Sequence, residues 1–92
     1  MSRDQSESVA KKILDFIIRN VKIVGASINS FNPEQSTVKI LESLFERFAE
    51  VRCFMRQQTF AAIAKKTGLA TDEVTFVLRP IDQATRTAGW LD

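Results

Sequence analysis

Histidine is absent from this 92-residue chain. Its absence removes the usual general base, a common zinc ligand and the proton-shuttling member of the hydrolase triads. Cysteine occurs once, as Cys53, so no intramolecular disulfide can form and nothing points to an oxidising compartment. The three glycines, Gly25, Gly68 and Gly89, stand too far apart to build a phosphate-cradling loop. The longest apolar runs fall well short of the ~18 residues a membrane-spanning helix needs. Met1-Ser2-Arg3-Asp4-Gln5-Ser6 lacks the apolar stretch of a signal peptide. These absences lead to the expectation of a cytoplasmic protein that is not an enzyme. No cofactor, metal site, small-molecule substrate or membrane partner is expected.

What is present is an ordinary globular composition, 45% apolar and 26% charged, which argues against disorder of the whole chain. The length fits one domain, 1–92. The net charge of +2 permits a nucleic-acid partner without demanding one. Residues 1–58 carry nine Lys/Arg and seven Asp/Glu, whereas residues 59–92 carry four of each. The second half is therefore neutral, unlike a strongly basic nucleic-acid surface.

Apolar residues recur at helical spacing over Val9, Ile13, Ile17, Val21 and Val24. This predicts a first helix starting near Asp4, with Asp4 and Glu7 at capping-box spacing and Ser6 as a competing cap. Gly25 is expected to end it, and Gly25–Asn32 reads as a loop pinned by Ile28 and Phe31. Asn32-Pro33-Glu34-Gln35 has the form of a helix start. A second helix is expected through Val38, Leu41, Leu44 or Phe45, and Phe48. It either continues through Cys53 or breaks near Glu50, and Val51–Met55 fits a helix or a strand. Cys53 reads as a small buried hydrophobe. Thr59 is placed to cap a third helix, Phe60–Lys66, ended by Gly68. Thr71 is placed to cap a fourth, with Asp72 and Glu73 in its first turn. Pro80 is expected to kink or break that helix ahead of a further stretch to Thr87.

The run Phe60-Ala61-Ala62-Ile63-Ala64-Lys65-Lys66-Thr67-Gly68-Leu69-Ala70-Thr71-Asp72-Glu73-Val74-Thr75-Phe76-Val77-Leu78-Arg79 resembles the helix-turn-helix superfamily. Ala64 is small where two helices would cross. Gly68 admits the positive φ of the turn. Ile63, Leu69, Val74 and Val77 or Leu78 would lock the pair. The continuation to Ala88-Gly89-Trp90-Leu91 is similar to winged-helix proteins, with the wing absent or reduced to a stub. The resemblance implies an all-α fold of four to five short helices. Residues 1–58 would form the N-terminal helices, core and dimer contact, and residues 59–92 the helix-turn-helix and C-terminal segment.

In that superfamily the second helix of the unit enters the DNA major groove. The resemblance therefore implies double-stranded DNA as partner, with contacts from Lys65, Lys66, Thr71, Thr75, Arg79 and Arg86. The chain would then act as a transcriptional regulator or repressor by occupying an operator. Asp72 and Glu73, which would meet phosphates first, and Phe76 fit that role poorly. The alternative is a protein-binding module or inhibitor that keeps the fold, with Asp72, Glu73 and Phe76 in its partner surface. Apolar residues on more than one stripe of helix 1 suggest a second interface. A homodimer is expected, with contacts from Phe16, Ile18 and Trp90.

Overall fold

A computed structural model describes residues 2–27 and 34–87. Among them there are six helices and no strand: α1 (Arg3–Asn20), α2 (Lys22–Ser27), α3 (Thr37–Arg47), α4 (Ala49–Arg56), α5 (Phe60–Thr67) and α6 (Thr71–Thr87). The fold is all-α, as expected. Ile28, Phe31, Asn32, Pro33, Gly89, Trp90 and Leu91 lie outside the described residues, and with them the expected loop anchors, helix start and wing stub.

The helix count exceeds the expectation because a single extended residue splits the first helix, read as continuous, and another splits the second, for which a break near Glu50 is one of the two readings. Val21 (φ −121°, ψ 98°) separates α1 from α2, and Phe48 (φ −122°, ψ 109°) separates α3 from α4. Each still donates its N–H to the carbonyl four residues back, Ile17 at 2.8 Å and Leu44 at 3.0 Å. One residue thus redirects the chain without orphaning its own N–H. The redirection buries Val24 after the first break and Val51 after the second. Gly25 therefore lies inside α2 and does not terminate α1, and Val51–Met55 is helix.

Other starts moved as well. The cap of α1 is Ser2, whose Oγ accepts the Gln5 N–H at 3.1 Å; neither Asp4 nor Ser6 takes that place. Glu34 and Gln35 precede α3, which begins at Thr37 with Ser36 Oγ accepting the Lys39 N–H. A second acceptor arrives there from α1. Glu7 Oε2 receives the Thr37 N–H at 2.9 Å, and its Oε1 faces the Val38 N–H at 3.4 Å. At its other end, α3 is closed by Arg52 of α4. Arg52 is only 8% exposed, and its guanidinium donates to the carbonyls of Phe45 and Glu46. Carboxylate at the N-terminus and guanidinium at the C-terminus both complement the helix dipole.

The core is one cluster fed by all six helices, including Ile13, Ile17, Leu41, Leu44, Phe45, Ile63, Val74 and Leu78. α6 packs on α1, α3 and α5, so only one face of it is left outward. Phe16, expected at a dimer contact, is instead 5% exposed and packs its ring on Phe54, with centroids 5.5 Å apart. Ile18 is half-buried against the same core. The wide apolar surface of α1 is thus largely used within the chain, by α2, α3, α5 and α6. Cys53 is exposed, contrary to its reading as a buried hydrophobe, because α4 turns its Val51, Arg52 and Met55 face inward.

Candidate functional site

The α5–α6 unit follows its local signals closely. Thr59 Oγ1 accepts the Ala62 N–H at 3.0 Å and starts α5. The Thr67 hydroxyl turns back on the Ile63 carbonyl at 2.7 Å. Gly68 adopts φ 75°, a left-handed conformation that costs other residues ~1–2 kcal/mol. The Leu69 N–H then reaches the Ala64 carbonyl at 2.9 Å. Three residues, Gly68, Leu69 and Ala70, join the helices. Ile63, Ala64, Val74, Val77 and Leu78 are all buried.

α6 begins one residue differently from expectation. Thr71 is already helical, and Glu73 Oε1 accepts the Ala70 N–H at 2.9 Å, the reaching-back half of a capping box. α6 then runs unbroken through Pro80 to Thr87. Proline removes the N–H that would bond the Phe76 carbonyl. Both residues are exposed, so water can satisfy that carbonyl.

The outward face of α6 carries Asp72, Phe76, Arg79, Pro80 and Gln83, all exposed. Phe76 is 54% exposed, and with Ile23 at 41% it is one of two exposed large hydrophobic residues among those described. Shallow clefts flank it. One, of about 350 Å³, lies towards α1 and α3 and is lined by Phe76, Val77, Pro80, Ile81, Val38 and Glu7, among others. The second is formed by Thr75, Phe76, Arg79, Pro80 and Gln83.

The residues expected to touch DNA are spread over this unit and several are engaged within it. Lys65 and Lys66 are exposed at the end of α5, and Lys66 Nζ donates to Gln58 Oε1 at 3.0 Å. The Thr75 hydroxyl donates to the Thr71 carbonyl at 2.8 Å. The Arg79 guanidinium sits 6.0 Å above the Phe60 ring centroid. Arg86 Nε donates to Asp82 Oδ2 at 2.9 Å. α6 itself carries three acids, Asp72, Glu73 and Asp82, against two bases, Arg79 and Arg86.

Behind this face, Asp82 joins α4 to α6. Arg56 Nε donates to Asp82 Oδ1 at 2.8 Å, and Arg56 Nη2 donates to Thr85 Oγ1 at 2.8 Å. Burial works against ionisation of Asp82, but the hydrogen bonds and charges of Arg56 and Arg86 outweigh it and hold the carboxyl below its ordinary range. The i,i+4 pair with Arg86 is readable from spacing. The Arg56 partnership, 26 residues away, leaves no local trace.

Among the described residues no group of three or more His, Cys, Asp or Glu is placed to hold a metal ion. No described helix is long and apolar enough to cross a membrane. The chain matches no protein-family model, no curated protein and no solved structure.

Proposed function

We propose that this chain is a protein-interaction module of helix-turn-helix form, whose contact surface is the outward face of α6. The observation that supports this is Phe76, a large apolar side chain left more than half exposed on a helix whose other faces are packed. Aromatic side chains seated beside small clefts are the residues that dominate protein interfaces. A reading helix for DNA calls for the opposite character, with cations leading and few acids. Here Asp72 and Glu73 lead, and Arg79 leans on Phe60. An amphipathic helix laid along the clefts is the partner geometry this surface suits.

A second reading is a DNA-binding regulator acting by operator occupancy. It is favoured by the glycine turn between α5 and α6 and by exposed Lys65 and Lys66 beside it. Binding to mixed duplex DNA across a salt series decides between the two. Each phosphate contact adds ~0.9 to the slope of log affinity against log salt. The interaction reading expects no binding at ~50 mM salt, where nonspecific attraction is strong. It also expects helical peptides selected from a random display library on the wild-type chain to lose binding to Phe76→Gln. Salt-dependent DNA binding, with no Phe76-dependent peptides recovered, would overturn it.

A further inference from the structure

We propose that a second copy of this chain docks on α6, so that two α6 helices lie antiparallel across a twofold axis at Phe76. This rests on the reading of α6 as a protein-contact face and names its occupant.

The argument is one of self-complementarity. A twofold contact must present one surface that fits itself. Asp72 lies four residues before Phe76, and Arg79 three residues after it. At 1.5 Å per residue these are about 6 Å back and about 4.5 Å forward along the helix axis. At about 100° per residue, Asp72 and Arg79 fall within about 20° of each other, on the same side of Phe76. An antiparallel twofold at Phe76 reverses the direction along the axis and keeps the side. It therefore brings Arg79 of each copy opposite Asp72 of the other, twice over. On the opposite side of the stripe, Pro80 of one copy meets Glu73 of the other by the same arithmetic. The two Phe76 rings meet at the centre, each beside the other copy's cleft between Phe76, Pro80 and Ile81. The acids that unsettle a DNA reading become the counter-charges of Arg79.

Both charged residues are exposed, and Asp72 spends one carboxylate oxygen, Oδ1, on the Glu73 N–H at 3.1 Å. The Arg79 guanidinium rests on Phe60, which holds it at the rim of the stripe. The dimer contact thus moves from α1, where Phe16 is spent on Phe54, to α6. It covers the face that would enter a DNA groove, so the dimer and DNA reading by α6 exclude each other.

The test is sedimentation equilibrium of the full chain from low- to high-micromolar concentration. Wild type is expected to show a mass that rises from monomer towards dimer. Phe76→Gln and Arg79→Asp should each weaken association by about tenfold or more, with Asp72→Arg plus Arg79→Asp recovering most of the loss by reversing the pair. Circular dichroism confirms that each variant is folded. A cross-link reports register independently of charge. In a Cys53→Ser background, Phe76→Cys should oxidise to a covalent dimer, whereas Gln83→Cys, displaced from the axis, should not. A wild-type chain that stays monomeric throughout overturns the proposal. If helical peptides still bind it through Phe76, the interaction reading stands and only the second copy falls; if none bind, both fall. A dimer indifferent to Phe76→Gln, or one not recovered by the charge reversal, overturns this geometry as well.

Discussion

Glu7 shows how far a single side chain can act from its place in the sequence. It has the spacing to cap its own helix, yet its carboxylate meets the first N–H groups of α3, thirty residues on. The hydrogen bond from the Thr37 backbone, above all, lowers its pKa, with burial opposing and the Val38 backbone adding to the effect. A carboxyl whose folded pKa lies below its unfolded value stabilises the fold above the unfolded value. That contribution fades as pH falls through the folded one. The ordinary value here is 4.5. Glu7→Gln keeps an oxygen acceptor but removes the charge that faces the helix dipole. It is expected to cost about 0.5–1 kcal/mol at neutral pH. Urea unfolding repeated at falling pH should show the gap to wild type closing below the ordinary carboxylate range. A gap that stays constant with pH would show that the charge contributes nothing at the α3 start.

At the scale of the element, α6 is the helix on which the site depends, and Pro80 is its internal cost. Proline in a helix interior is unfavourable by about 3 kcal/mol, through the lost N–H and the clash with the preceding turn. Its restriction of the unfolded chain returns about 0.4–1 kcal/mol. Pro80 is exposed, so Pro80→Ala should stabilise the chain by about 2–2.5 kcal/mol, read as a higher urea midpoint at an unchanged slope. No gain would mean that α6 had already bent to remove the strain. The helices were legible in the sequence where their boundaries are local. Thr59 and Gly68 bound α5 because a hydroxyl and a left-handed residue act within one turn. The break at Val21 was not legible, since valine is no helix breaker, whereas the break at Phe48 falls beside the alternative break near Glu50. After each break the redirected chain buries a valine, Val24 and Val51. Of the kink or break expected at Pro80, the break does not occur: α6 runs through the proline, packed on three helices. The candidate site divides the same way. Asp72, Phe76 and Arg79 share a stripe by simple periodicity. The clasp of Arg56 on Asp82 and the closure of α3 by Arg52 depend on tertiary approach, which spacing does not encode.

For the molecule as a whole, the balance between core and outward surface decides how it associates. A chain of 92 residues buries a modest core, and an interface is a natural further source of stability. Here the apolar surface of α1 is largely absorbed by its neighbours, which leaves Phe76 on α6 as the most exposed large apolar side chain among the described residues. If two copies close on that residue, folding and association are linked, because only the folded chain presents the stripe. Binding that favours the folded state raises its apparent stability with concentration. The midpoint of thermal unfolding should therefore climb as wild-type concentration increases from the low- to the high-micromolar range. Phe76→Gln should show a midpoint independent of concentration. At high dilution the two midpoints should converge, since a side chain already in water contributes little to the monomer. A Phe76→Gln chain that melts well below wild type even at high dilution would place Phe76 in the fold of the single chain and remove it from the interface.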